Sequence, residues 1–217
     1  MNRINRLFSQ LLLAAMTGVS ISFAYAAPAP HSFIEGVHYQ RIGSAQSLKR
    51  TDKIEVVEMF WYGCQTCYLL LEDIERWVSR NQNKIDYKRI PAITEEEMIF
   101  FARAFYAAEV LSVTEKIHKP FFKAIHQYRR RLNTEDSLAA FFFEHGVAKK
   151  DFIKAFRSSF VASKVRQSKL ISKRFKIKGA PSVIIGGQYL LDSSMVRSPQ
   201  QFIDVMAHLV RKVENNR

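Results

Sequence analysis

The two cysteines of this 217-residue chain stand three apart, Cys64-Gln65-Thr66-Cys67, where a strand pattern gives way to a helix pattern. Upstream, Ile54-Glu55-Val56-Val57-Glu58-Met59-Phe60 is β-branched and nearly continuous in apolar character, which predicts a central strand. Downstream, Leu70, Leu71, Ile74, Trp77 and Val78 recur at spacings of three and four, one buried face of a helix that Asn81 and Asn83 end. Ile85-Asp86-Tyr87-Lys88-Arg89-Ile90 is the next strand, stopped by Pro91. Strand, helix and strand in this order form a βαβ unit with its thiols at the start of the helix. Two cysteines are too few for a disulfide-stapled miniprotein or a four-thiolate zinc site.

A C-x-x-C pair at a helix start has a definite chemistry. Residues three apart in a first helical turn bring their Cβ atoms within disulfide reach. The first cysteine sits among unpaired backbone N–H groups at the positive end of the helix dipole, which favours thiolate over thiol. The second lies deeper and is more shielded. Cys64 therefore reads as the nucleophile and Cys67 as the resolving thiol, the redox placement typical of such a motif. Two blander readings compete. An inert bridge would close so short a loop that it constrains the unfolded chain little. A zinc site would need two further ligands, and His118, His126 and His145 form no H-x₃₋₅-H pair.

The remaining pattern frames that unit. Val37 to Ile42 predicts a short edge strand. From Thr94 to about Phe175 no strand signal occurs. Thr94 with Glu97 three residues on predicts a capping box. Pro120, Thr134 and Gly146 divide this long segment into four helices, with breaks at 133–137 and 148–151. Phe152, Phe156 and Phe160, spaced by four, predict one long amphipathic helix. Ser182 to Ile185, Gly186-Gly187 and Gln188 to Leu191 predict a hairpin with a two-residue glycine turn. Ser198-Pro199 opens a closing helix whose inward residues are Phe202, Ile203, Met206, Leu209, Val210 and Val213. The fold class is α/β: a mixed sheet with helices on both faces and an inserted helical block.

The N-terminus reads as an export signal. Arg3 and Arg6 precede an apolar run from Leu7 to Phe23, and Ala24-Tyr25-Ala26 fits the cleavage pattern. Domains then fall at 1–26 for the signal, 27–91 for the first part of the sheet domain, 92–150 for the helical insertion and 151–217 for the second part. Export places the protein outside the cytosol, where thiol oxidation is possible. The net charge of +13 is concentrated late, with eleven basic residues and one acid between Lys149 and Lys178. An exported chain with no recognition motif is a poor nucleic-acid binder, so this stretch reads first as a solvated helix face. The alternative is weak attraction to an anionic membrane or an acidic partner.

Two segments together resemble a known family. Phe60-Trp61-Tyr62-Gly63-Cys64-Gln65-Thr66-Cys67-Tyr68 and Gly179-Ala180-Pro181-Ser182 are similar to the DsbA family of periplasmic thiol:disulfide oxidoreductases. The resemblance implies a thioredoxin-like fold, a central mixed β-sheet flanked by helices, with an inserted all-helical domain. It also implies a cis Ala180–Pro181 bond beside the cysteines, which a tertiary amide tolerates, with Ala180 facing substrate. It implies periplasmic location and reduced exported proteins as substrates. A DsbB-type membrane oxidase would reoxidise the pair, and no cofactor beyond the Cys64–Cys67 disulfide is needed. It places Glu58 as a buried acid near Cys67, able to relay a proton; the competing reading is a strand-end glutamate paired with a lysine. Many family members carry Pro-His between the cysteines. Gln65-Thr66 brings an amide and a hydroxyl without charge, which predicts weaker thiolate stabilisation and a less oxidising disulfide.

Trp61, Tyr62 and Tyr68 surround the pair and, with Gln65 and Thr66, are candidates for an apolar surface that holds unfolded substrate. Trp61 is expected to be partly exposed and Trp77 to be core. The function expected is dithiol oxidation of exported proteins. The alternatives are a reductase or isomerase of the same fold, or a periplasmic peptide-binding chaperone, which has no need of C-x-x-C at a helix start. The sequence carries no signal for an oligomeric state.

Overall fold

The computed structural model describes residues 32–43 and 52–216. The segment read as an export signal lies outside them. A five-stranded mixed sheet has the order β1-β5-β4-β2-β3. Its centre is β2, Ile54–Phe60, with every residue buried. β3, Ile85–Pro91, pairs parallel with it, and β4, Ser182–Ile185, pairs antiparallel on the other side. β5, Tyr189–Asp192, extends the sheet to β1, Gln40–Arg41. The edge strand is shorter than Val37–Ile42 because a turn at 36–38 precedes it, though Ile42 N–H still reaches Gln188 O at 2.8 Å. Pro91 continues β3 opposite Phe60; a proline is tolerated on an edge strand, where its missing N–H leaves no neighbour unpaired.

Alternation along β2 sends its side chains to different cores. Ile54 and Val56 face the helix α1, Gln65–Asn81, through Leu70, Ile74 and Trp77, and the closing helix α7, Pro199–Glu214, through Phe202, Val205, Met206 and Leu209. Val57 and Met59 face the opposite core of Phe175, Ile177, Ile184 and Leu190. The two acids of β2 break the apolar run, and each is met by β3. Lys88 Nζ lies 2.8 Å from Glu55 Oε1, while Glu58 is met by Tyr87 and Arg89. The lysine-paired strand glutamate is thus Glu55.

Between β3 and β4 run five helices: α2 Glu97–Val110, α3 Thr114–His126, α4 Glu135–Glu144, α5 Lys149–Arg157 and α6 Ser159–Arg174. The sequence suggests four. The long helix predicted from Phe152 onward is two, because Ser158 takes an extended conformation, closes α5 and caps α6 by accepting from Val161 N–H at 3.2 Å. Phe160, just past the break, is 56% exposed while Phe152 and Phe156 are core. Thr94 does not cap α2. The helix starts at Glu97 without a side-chain cap, and the Thr94 hydroxyl instead approaches Met98 Sδ. Thr134 does cap α4, in a reciprocal pair with Ser137. Pro120 lies inside α3 and ends nothing.

An aromatic core joins these helices, and it includes Phe152, Ala155, Phe156, Val161 and Val165. By packing, α5 and the first turns of α6 join the other helices in one helical unit. The last turns of α6 return to the sheet through Ile171 and Phe175, and Ser172 Oγ accepts from Ile93 N–H at 3.0 Å. The hairpin loop is one residue longer than two glycines: Ile185 pairs with Tyr189, and Gly186 and Gly187 both hold positive φ, 59° and 63°. That left-handed geometry is the reason for the glycines. Ser198 and Pro199 start α7 as expected, with Val205 added to its buried face.

Candidate active site

Three segments meet at the N-terminus of α1: the turn 61–64, the first turn of the helix, and the loop before β4. Cys64 is the N-cap, with φ −82° and ψ 114°, and its Sγ accepts from Cys67 N–H at 3.0 Å. This is the capping position that serine or aspartate usually fills, so the helix end and the sulfur satisfy each other. Cys64 N–H closes the preceding turn on Trp61 O at 3.0 Å. A Cβ at Gly63 would stand 2.4 Å from the Trp61 indole, so any side chain there would displace that ring.

Both cysteines are free thiols, so the structure is the reduced form. Their environments differ. Cys64 is partly exposed and Cys67 is 1% exposed. The Cys64 thiol is held below its usual value, first by the hydrogen bond from the Cys67 side chain and then, against the effect of partial burial, by the N–H groups of Cys67 and Thr66. Burial pushes Cys67 well up, and the neighbouring Cys64 sulfur adds to that. One thiol is prepared to ionise and the other to stay protonated.

The loop before β4 closes the site. Ala180–Pro181 is cis, and the carbonyl of Ala180 lies 3.2 Å from Cys64 Sγ, an acceptor for the thiol proton. The strand–thiol–helix arrangement, the cis proline loop and the helical insertion meet around one pair of sulfurs. A family model for the DSBA-like thioredoxin domain matches residues 64–204.

The chain belongs to that family. It is 33% identical over 215 residues to the thiol:disulfide interchange protein DsbA of Burkholderia cepacia, covering 99% of this chain and 100% of that one. DsbA of Pseudomonas syringae pv. tomato is 31% identical over 202 residues, covering 93% and 94%. The crystal structure of Pseudomonas aeruginosa DsbA is similar with a TM-score of 0.79 at 26% identity, covering 85% of this chain and 96% of that chain. As a DsbA-family protein the chain is a thiol:disulfide oxidoreductase of thioredoxin-like fold with a helical insert. Among the described residues no group of three or more His, Cys, Asp or Glu could hold a metal ion.

The other residues that the sequence brings forward are distributed unevenly. Glu58 is 2% exposed on the α1-facing side of β2, hydrogen-bonded to the Tyr87 hydroxyl and 3.8 Å from Arg89 Nε. Desolvation raises its carboxyl above the usual range, against the pull of Arg89 and Tyr87, and its charge works against ionisation of both cysteines. Gln65 and Thr66 are exposed and Trp61 is half-buried, while Trp77 is core.

Tyr62 offers no surface to a substrate. At 1% exposure its ring enters the helical core, 4.2 Å from Phe121 between centroids, and its hydroxyl shares a 2.9 Å hydrogen bond with His118 Nδ1. Burial pushes His118 well below its usual value, so the ring is neutral at neutral pH. Leu69, two residues after Cys67 in sequence, is 60% exposed, and no periodicity argument selects it. His126 is a further residue the motif does not reveal: its ring contacts both Gln65 and the Tyr62 carbonyl from the end of α3. Its distance of 59 residues from Cys67 hides it from any local pattern.

Proposed function

We propose that the protein oxidises dithiols of exported proteins, with Cys64 as the attacked sulfur. The observation that carries this is the asymmetry of the pair: Cys64 Sγ at the helix cap with a lowered pKa, Cys67 buried with a raised one. In the oxidised enzyme a substrate thiolate attacks Cys64 Sγ. The Cys64–Cys67 bond breaks, and the electron pair leaves on Cys67, which takes up a proton. A second substrate thiolate then attacks the substrate sulfur of the mixed disulfide and expels Cys64 as thiolate. Two substrate thiols become one disulfide, and the enzyme disulfide becomes two thiols. A low-pKa Cys64 is the better leaving group in the second step, which favours oxidation of the substrate.

Glu58 fits the role of proton donor and acceptor for Cys67. It lies on the α1 side of β2, its carboxyl holds a proton more readily than an exposed acid, and its charge and the thiol of Cys67 influence each other. Substrate would lie across Trp61, Gln65, Thr66 and the Ala180–Pro181 loop, with Leu69 taking the apolar contact that Tyr62 cannot make. The basic and apolar N-terminus ending in Ala24-Tyr25-Ala26 supports export to the periplasm. There, reduced exported proteins are the substrates, and a membrane oxidase of the DsbB type would restore the disulfide.

Equilibration of the Cys64–Cys67 couple with glutathione tests the direction of electron flow. An oxidase requires a potential well above that of the structural disulfides it makes, which lie below roughly −300 mV. A potential in that low range would make the protein a reductase.

A further inference from the structure

We propose that His126, on the helical unit, is a positioning residue for the redox pair: its imidazole holds the Gln65 amide and the Tyr62 carbonyl, and with them the first turn of α1 that Cys64 caps. The inference rests on the thiol–disulfide reading of Cys64 and Cys67 and adds a residue that tunes it.

Gln65-Thr66 carries no charge of its own. His126 is the last residue of α3 and is 9% exposed. Its Nδ1 lies 3.0 Å from Gln65 Oε1 and its Nε2 lies 2.8 Å from the carbonyl oxygen of Tyr62. The ring stacks on Tyr68, with centroids 5.2 Å apart and planes at 12°, and Phe122 covers it at 6.0 Å. The stack fixes the plane of the imidazole, and the two polar contacts fix its rotation within that plane.

The chemistry of the two partners restricts the ring further. A backbone carbonyl only accepts, so Nε2 must carry a proton. Gln65 Oε1 also only accepts, and an imidazolium, which donates from both nitrogens, satisfies both at once. A neutral ring keeps both contacts only if Gln65 turns its NH₂ toward Nδ1, so the ring proton and the amide orientation are tied.

The anchors bracket the reactive sulfur: Tyr62 precedes Cys64 by two residues and Gln65 follows it directly. A ring held here fixes the turn that aims the Cys67 N–H at Cys64 Sγ, and a thiolate gains more from that donor than an uncharged disulfide sulfur does. Stabilising the reduced form makes the couple more oxidising. The helical unit thereby reaches into the redox chemistry through one ring.

The test uses the full folded protein, with no substrate or membrane partner. Wild type, His126→Phe and His126→Gln are equilibrated with reduced and oxidised glutathione, and the Cys64 thiolate is titrated by its absorbance. His126→Phe retains the stacking ring and loses both donors. The couple should become less oxidising by roughly tenfold in the equilibrium constant, which for two electrons is about 30 mV, and the Cys64 midpoint should rise. His126→Gln can still donate to the Tyr62 carbonyl but has no ring to stack on Tyr68, so it should shift the constant in the same direction by less. An unchanged constant in His126→Gln, with cooperative unfolding retained, overturns the proposal, even where His126→Phe does not fold. A wild type whose Cys64–Cys67 pair fails to equilibrate reversibly with glutathione sinks the underlying oxidoreductase reading instead, so the two failures are distinct.

Discussion

The sheet unit and the helical unit are held together by different kinds of contact. On the α1 and α7 side, the sheet packs mainly through aliphatic side chains such as Val56, Leu70, Ile74 and Leu209, with Trp77 and Phe202 among them, and the acid Glu58 is met there by β3. The helical unit packs through rings: Phe121 meets Tyr62 at 4.2 Å, Phe141 at 5.2 Å and Phe101 at 5.6 Å, and Phe142 meets Phe152 at 4.3 Å. The sulfurs sit on the sheet unit, yet the turn before them, through Tyr62, is embedded in the ring core. An insertion that only shielded the site would not need that contact. The difference teaches that one unit carries the two sulfurs and the other holds the segment that precedes them.

The sharpest way to break this division of labour is at the sulfurs. Cys64→Ser should abolish oxidation of a reduced model protein, while Cys67→Ser should accumulate mixed disulfides visible on non-reducing gels. Full activity in Cys64→Ser would show that the helix-cap sulfur is not the reacting one. Next in size is the ring core. Phe121 is fully buried, and Phe121→Ala should cost about 3–5 kcal/mol by denaturant unfolding. Folded Phe121→Ala should still alkylate at Cys64 before Cys67, because the thiol asymmetry arises on α1; loss of that order would place its origin in the helical unit.

A smaller effect concerns the buried acid of β2. The folded-state pKa of Glu58 is raised above its ordinary 4.5. Its protonated form therefore stabilises the fold fully below that value, and the contribution is lost as pH rises through the raised folded value. In that window the unfolded state binds fewer protons than the folded one, so stability falls with pH, at most by about 1.4 kcal/mol per pH unit for one proton. Glu58→Gln should flatten this slope when unfolding free energies of the oxidised protein are compared from about pH 4 to 8. An identical slope in the variant would mean that Glu58 is ionised throughout.

The smallest predictions separate two threonines that look alike in sequence. Thr134→Ala removes a reciprocal cap and should cost about 1 kcal/mol. Thr94→Ala should cost less than about 0.5 kcal/mol, since its hydroxyl caps no helix. Equal losses at the two sites would contradict the observed start of α2.

The basic stretch from Lys149 to Lys178 illustrates how far local reading reaches. Arg157, Lys164 and Lys169 lie 2.8, 3.8 and 2.6 Å from Glu135, Glu109 and Glu96, all outside the stretch. Part of what reads as an unbalanced run is balanced in space, by acids distant in the chain.

By itself the sequence determined β2, α1, β3, the hairpin, α7 and the cysteine pair at the start of α1. In each case the information is local: apolar period, cap residue, turn glycine, and thiols one helical turn apart. The glycine loop gained a residue and β1 lost several because pairing register depends on the partner strand. Tertiary structure alone decided the helical unit's inner face. α6 buries Val165, Ser168 and Ser172 along one side, and two of these are serines satisfied by Tyr106 and by Ile93 N–H, so no hydrophobic period marks them. It also decided which side Tyr62 faces and which ring meets Gln65. Those choices depend on residues far apart in the chain, and a contact of that kind leaves no spacing in the sequence to read.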